Sequence, residues 1–364
     1  MDGMDEKTVE FAVEKVISKR GRGPQFLLSF ACIVVIVAGL KAAESLVVPL
    51  LIAVFITLLC IPPARRLQKL GLSPVLSTTL VMIGVVVLLV VLSGVLAGSI
   101  SDMTDNLDLY KARLDALKTE GLILLGKMNI DVEKLRAGDI LDTESIMGFV
   151  SGAASELLGV LSHMLIIVFL LIFMLLEASD LPAKLRRAHG NPDADLSEYA
   201  VVTGQLYEYL HLKTMISLIT GVAAGGLCAL AGVEFPVLWG LVAFLFNFVP
   251  NVGSILAAIP PVLLALLMGG VGNATVVAIG YAVINVVIGN FIEPKVFGRH
   301  LGLSAAVVVF SLFFWNWVLG PVGMLLSLPL TMVVKILLEH SGDYRFAAVL
   351  LGPAHEPEDE QAAT

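Results

Sequence analysis

Residues 214–292 carry a single formal charge, Glu234, yet four prolines, Pro236, Pro250, Pro260 and Pro261, fall among them. A stretch this long and apolar cannot be held in a water-soluble core, and the prolines prevent it from forming one straight helix. Residues 80–100 and 215–233 hold no charge at all, and each exceeds the ~18 apolar residues that mark a membrane span. Over the 364-residue chain 57% of residues are hydrophobic and 15% charged, where a soluble domain carries roughly 25% charged residues. The sequence is therefore that of an all-α, multi-pass membrane protein, and the lipid bilayer is its first partner. Disorder, a disulfide scaffold and a nucleic-acid partner are excluded. The three cysteines, Cys32, Cys60 and Cys228, sit in apolar runs without CxxC spacing and read as small packing residues, while a net charge of -8 repels phosphate.

The first apolar run begins at Phe26 and continues to Ile61 without an Ala-x-Ala-like cleavage site, so it is read as a retained span rather than a signal peptide. Further apolar segments lie near 74–98, 158–177, 214–233, 235–249, 252–268, 274–292, 303–319 and 322–338. With both termini cytoplasmic, Arg65, Arg66, Lys69, Lys184, Arg186, Arg187, Lys295, Arg299 and Arg345 all fall inside, which satisfies the positive-inside rule. The expected organisation is a cytoplasmic tail 1–25, amino-terminal spans 26–98, an extracytoplasmic segment 99–157, a span 158–177, an inner-surface segment 178–213, a core 214–340 and a cytoplasmic tail 341–364.

Two amphipathic helices are expected between the spans. Leu107, Tyr110, Leu114, Leu117, Leu124 and Met128 recur at heptad-like spacing, which predicts a helix weakened at Gly121 that packs on its own membrane domain or on a second subunit. A second helix is expected after Asn191, with Pro192 at its first position and Leu196, Tyr199, Val202, Leu206, Tyr209 and Leu210 as an apolar stripe lying on the inner surface.

In the carboxyl half the helices must be short or broken. As a helix, residues 235–249 would rise about 22 Å, less than the ~30 Å of hydrocarbon. The following turn, Pro250-Asn251-Val252-Gly253, has no Lys or Arg to mark it as cytoplasmic. A re-entrant hairpin over 235–268 that enters from outside is therefore favoured over two full crossings. Broken elements of this kind are tolerated only where they face protein or a wet cavity, and transporters build substrate sites from them.

Three blocks in this half resemble the autoinducer-2 exporter family, also known as PerM-type permeases. The first is Phe246-Asn247-Phe248-Val249-Pro250-Asn251-Val252-Gly253 running on to Pro260, like that family's PxxG-type hairpin. The second is Asn290-Phe291-Ile292-Glu293-Pro294-Lys295-Val296-Phe297-Gly298-Arg299 followed by Leu301-Gly302-Leu303-Ser304. The third runs from Gly320-Pro321-Val322-Gly323 to Pro329-Leu330-Thr331. The resemblance implies a bacterial inner-membrane permease that does not hydrolyse ATP. Its substrate would be a small molecule, the furanone quorum-sensing signal autoinducer-2, or a monovalent cation, sodium or lithium, exchanged for protons.

Candidate pathway residues are Asn247, Pro250, Asn251, Gly253, Pro260, Asn290 and Glu293, with Pro294, Gly298, Gly302, Gly320, Gly323 and Pro329 as structural positions of the blocks. Glu293 is either an interfacial carboxylate paired with Lys295 or Arg299, or a cation or proton site. Asn290, three residues earlier, shares its face on an α-helix and is either a ligand or a packing hydrogen bonder. Asn247 and Asn251 line the hairpin tip or simply cap the broken helix. Gly94 with Gly98, and Gly221 with Gly225, have the small-xxx-small spacing of close helix packing, which also makes a homo-oligomer an expectation. Gly298 and Gly302 are expected in turns, Trp315 and Trp317 in an outer aromatic belt, and His163 as a core or lipid-facing residue or a proton relay. No H-E-x-x-H, G-x-x-x-x-G-K-[ST] or G-x-S-x-G motif is present, and neither an enzyme nor a cofactor or metal site is expected. The expected architecture is about eight crossings plus one re-entrant hairpin. A membrane scaffold acting through the 99–157 segment is the rival from another class.

Overall fold

A computed structural model of the chain describes residues 22–127, 164–178, 197–250, 252–297, 302–339 and 345–352, with a few single positions between them. Every regular element among the described residues is helical. In chain order they are α1 (Arg22–Ala42), α2 (Glu44–Lys69), α3 (Pro74–Asp105), α4 (Leu107–Lys127), α5 (Met164–Ala178), α6 (Ser197–Leu230), α7 (Pro236–Phe246), α8 (Val252–Asn285), a π-helical turn (Val286–Ile292), α9 (Glu293–Phe297), α10 (Ala305–Leu325), α11 (Ser327–Glu339) and α12 (Arg345–Leu351). Among the described residues, five helical stretches are long and apolar enough to cross a membrane: Glu44–Lys69, Pro74–Asp105, Thr203–Leu230, Val252–Val296 and Ala305–Leu325. Large apolar side chains such as Leu46, Val75, Leu165, Leu230, Phe310 and Phe313 point outward. A water-soluble protein would bury such side chains; a bilayer solvates them.

Local chemistry sets the helix ends. Ser73 caps α3 by accepting from the Leu76 N–H at 3.3 Å, with Pro74 at the first helical position. Ser304 does the same for α10 through Val307 N–H at 3.3 Å. Phe235 precedes Pro236 of α7 with φ 57°, a left-handed conformation that no other described non-glycine residue adopts. α8 breaks at Gly270 (φ 74°), and α10 breaks at Leu319 and Gly320 (φ 64°).

The long helix α6 organises the carboxyl half. Near its Leu230 end it packs against α7, and the helices touch through bare backbone. A Cβ on Gly221 would lie 2.7 Å from the Gly240 carbonyl oxygen, and one on Gly225 would lie 3.0 Å from that of Pro236. The close approach expected at Gly221 and Gly225 is thus present, with Gly240 as the partner that spacing alone could not name. Gly94 and Gly98 have nothing within 4 Å of a built Cβ among the described residues.

α4 seats its stripe on the same end of the bundle. Tyr110 and Leu114 are buried with Leu96, Leu238, Trp239 and Ala257, and Leu107 and Leu117 pack alongside. The Tyr110 hydroxyl donates to Glu234 Oε2 at 2.6 Å, and Trp239 Nε1 donates to the Glu234 carbonyl at 2.8 Å. Burial, and then the hydrogen bond to Glu234, push the Tyr110 phenol above its ordinary pKa, so it remains a donor. The expected weakening at Gly121 is absent, because α4 runs unbroken to Lys127. The stripe packs on the chain's own helices, while Met128 lies outside the described residues.

Other expectations are corrected. Leu206, Tyr209 and Leu210 belong to one uninterrupted α6 and are buried against α10 and α11, so they form no separate surface helix. Asn191, Pro192 and His163 lie outside the described residues. Trp315 is no belt residue: it is buried, and its Nε1 donates to Thr331 Oγ1 at 3.0 Å. Trp317 is exposed beneath the Lys41 ammonium, 4.0 Å from its ring centroid. Cys60 and Cys228 are buried as packing residues should be, but Cys32 is exposed on α1.

The α6–α7 contact generates a direct test. Gly221→Ala forces a methyl group against the Gly240 backbone and should cost about 1–3 kcal/mol, read as a lower melting temperature in detergent. Gly94→Ala and Gly98→Ala, which meet open space, should leave the monomer's melting unchanged.

Candidate functional site

The buried face of α6 changes character along its length. Tyr209, Lys213, Ser217, Thr220, Ala224 and Cys228 follow one another at spacings of three or four residues, and all are buried. Leu206, Tyr209, Leu210 and Ile216 join a cluster with Trp315, Leu328 and Met332, whereas Ala224 and Cys228 join the cluster under α4. Between the two apolar zones sits a polar band of Lys213, Ser217 and Thr220.

Lys213 is the largest fully buried side chain described, with 1% of its side chain exposed. Its Nζ pairs with Glu293 Oε1, and the Glu293 side chain is 26% exposed. This is a different partner from the expected Lys295 or Arg299, and it explains how both charges persist inside an apolar bundle. A lone ammonium there would cost several kcal/mol, and the carboxylate returns much of it.

Glu293 reaches α6 because of the π-helical turn just before it. Each π turn holds one residue more than an α turn, with i→i+5 bonds such as Glu293 N–H to Ile288 O. The three-residue spacing from Asn290 to Glu293 therefore no longer means one face. Asn290 is exposed while Glu293 turns inward, and Ile288 is buried on the inner side. The expected pairing of Asn290 with Glu293 is separated by this change of register. Pro294 follows Glu293 in the first turn of α9.

Asn247, at the end of α7, is buried and donates from Nδ2 to Ser217 Oγ at 2.9 Å. Ser217 is one turn beyond Lys213 on the same face, so the hairpin tip and the ion pair are neighbours along α6. The tip is tight. Gly253 N–H returns to the Val249 carbonyl at 3.2 Å, and any Cβ on Gly253 would collide with the Phe246 carbonyl. Glycine is required here by contact. Pro250 is half-buried at the turn, and Asn251 lies outside the described residues. Pro260 is half-buried within α8, next to the fully buried Pro261. The hairpin's two ends meet where Asn273 Nδ2 donates to the Ala231 carbonyl at 3.0 Å.

The third block forms the wall facing the Tyr209–Lys213 part of α6. Gly320 has φ 64°, and a Cβ there would lie 2.7 Å from Glu44 Oε1. A Cβ on Gly323 would collide with the Trp315 carbonyl, so α10 folds back on itself closely enough for Trp315 to reach Thr331. Pro329 is fully buried in α11. Gly302 has φ 57° and adjoins Lys335 Nζ, consistent with its turn role, whereas Gly298 and Arg299 lie outside the described residues. Among the described residues no three His, Cys, Asp or Glu side chains gather as metal ligands would.

Sequence reasoning missed Lys213 and Ser217 as site residues. The available signal was Lys213 itself, a cation with no carboxylate one helical turn away and the first residue before the nearly charge-free stretch.

Residues 30–342 match the family model described as "AI-2E family transporter". The chain is 36% identical over 333 residues to "AI-2 transport protein TqsA" of Escherichia coli K12, covering 90% of this chain and 96% of that protein. It is also 36% identical over 331 residues to "Putative transport protein YhhT" of the same strain, at 91% and 95% coverage. A Borreliella burgdorferi relative described as a transport protein is 27% identical over 330 residues, at 89% and 90% coverage.

Removing one partner of the ion pair should be worse than removing both. Glu293→Gln leaves the Lys213 ammonium buried without counter-charge, at a cost of about 3–5 kcal/mol. Lys213→Met combined with Glu293→Gln should recover most of the lost melting temperature. Equal losses in the single and double variants would mean that the pair is screened by water.

Proposed function

The chain belongs to the AI-2E transporter family, and from that premise we propose that it is a secondary-active permease of the bacterial inner membrane that exports a small, oxygen-rich solute. It is a multi-pass membrane transporter and not an enzyme. The observation that carries the mechanistic reading is the buried Lys213–Glu293 pair, set between a broken hairpin and a π-helical turn. Ionisable groups at membrane depth are costly and are kept where a pathway uses them. Discontinuous helices are where secondary transporters bind their cargo.

In this reading α1, α2, α3, α5, α6, the second half of α8, α10 and α11 cross the bilayer, and both termini are cytoplasmic. α7 and the first half of α8 form the re-entrant hairpin, entering from the side that carries α4. Two lengths support this. α7 has 11 residues and spans about 16 Å as a helix, half of the ~30 Å hydrocarbon layer. Asn247 meets α6 at Ser217, about 20 Å from the Leu230 end at 1.5 Å per residue. Lys41 against Trp317 and Glu44 beside Gly320 support an outward position for the break in α10.

Asn247, Ser217 and the ion pair line the route at the hairpin tip. Opening requires the pair to separate, which couples passage to a conformational change. TqsA is named for AI-2, and autoinducer-2 is the first solute to test. Sodium or lithium exchange for protons is the second reading, favoured by the carboxylate of Glu293 and weakened by the neutralising Lys213. A homo-oligomer is part of the proposal, with the exposed Gly94 and Gly98 ridge of α3 free to meet another subunit.

Flux in proteoliposomes tests the function. Wild-type protein should move autoinducer-2 without ATP, and Glu293→Gln should reduce turnover at least tenfold at equal protein. Sodium–proton exchange in its place would establish the second reading. For the hairpin, a cysteine replacing Pro250 in a chain without Cys32, Cys60 and Cys228 should react slowly with an impermeant thiol reagent on the cytoplasmic side. A cysteine replacing Arg187 should react fast. Equal rates would establish two full crossings.

A further inference from the structure

The partners of the buried ion pair are not equivalent. Lys213 is fixed in the middle of the unbroken 34-residue α6, with 1% of its side chain exposed and apolar packing on the turns around it. Glu293 stands on the other side of a π-helical turn, at the head of a five-residue helix, and is 26% exposed. A π turn carries one surplus residue, and returning it to α geometry rotates everything beyond it by about 100°. Glu293 is therefore the partner that can leave, and Lys213 the one that stays.

Once Glu293 leaves, the ammonium requires another acceptor, because a buried cation without one is not sustained. Ser217 Oγ already accepts from Asn247, and Tyr209 stands one turn away on the same face. The Thr214 hydroxyl beside Lys213 is buried without a hydrogen-bond partner. Among the described residues Glu293 is the carboxylate paired with Lys213, and Glu234 is held by Tyr110 at the far end of α6.

We infer that Lys213 is the solute-binding cation of the transport site, and that Glu293 is an internal stand-in occupying its place while the site is empty. The transported solute accordingly presents a negative charge shared by two oxygens, as a carboxylate or comparable small oxyanion does. Solute and Glu293 compete for one ammonium, so binding expels Glu293 and opens the α9 end of the route. Asn247, held by Ser217 one turn away, is placed to donate to the solute's remaining oxygen. The inference rests on the permease reading and narrows its small, oxygen-rich solute to one that carries a negative charge.

Formate, the smallest carboxylate, is the probe. Melting temperatures of the full-length protein in detergent are to be followed against sodium formate, sodium chloride and glycerol for wild type, Glu293→Gln and Lys213→Met. Glu293→Gln should be stabilised saturably by formate at a concentration at least tenfold lower than wild type requires, and Lys213→Met should not respond. If Glu293→Gln does not purify as a single species, formate in the purification buffers should restore it; failure to do so overturns the inference. Equal, non-saturating responses in all three proteins would overturn it too. So would saturable stabilisation of wild type by sodium that is lost in Glu293→Gln. Wild-type flux is a separate readout: a protein that moves no solute contradicts the permease reading. A transporting wild type whose Glu293→Gln variant ignores formate contradicts only the anion site.

Discussion

A lysine ammonium buried in an apolar helix bundle must have a counter-charge, and much of the carboxyl half is arranged around that requirement. Lys213 sits where α6 is enclosed by α10 and α11 on one side and approached by α9 on another. To deliver a carboxylate to it, the backbone departs from α geometry over Val286–Ile292, turning Glu293 inward and Asn290 outward. The same register that closes the ion pair also makes it separable, since a π turn and an α turn differ by one residue. In the proposed function, structure and transport are tied to this one contact.

The second constraint is the backbone itself. Where helices break in the membrane, their free N–H and C=O groups need partners. The tip between α7 and α8 meets this by folding so tightly that only glycine fits at Gly253, whose N–H returns to the Val249 carbonyl, while the Asn247 side chain ties the tip to Ser217. The α6–α7 glycine contact brings the tip close enough for that bond, and α4 clamps the far end of the hairpin through Tyr110 and Glu234. The short break at Gly320 repeats the device on a smaller scale, with a left-handed glycine where no side chain would fit beside Glu44.

Helical class, membrane character and family were legible because they depend on composition and on three ordered blocks, and both are local properties of the sequence. Gly221 and Gly225 were legible because helix geometry alone puts them on one face. The partner of Glu293 was not, because Lys213 is 80 residues away and no periodicity links them. The separation of Asn290 from Glu293 was hidden for a related reason: the three-residue rule assumes an α-helix, and nothing in Val286-Val287-Ile288-Gly289 announces a π turn. Trp315 was misread because residue type suggests an aromatic belt, whereas the tight return of α10 at Gly320 and Gly323 draws its indole inward to Thr331. Gly94 and Gly98 show the converse, a packing spacing with no partner among the described residues.

In the proposed cycle α9 moves away from α6 when Glu293 releases Lys213. Spin labels on Glu208 of α6 and Val296 of α9, both exposed, permit the separation to be read by double electron–electron resonance in lipid nanodiscs. Two distances are expected in an otherwise wild-type chain, with the longer one enriched in Glu293→Gln. A single distance, unchanged in Glu293→Gln while labelled wild-type protein still transports, would contradict it.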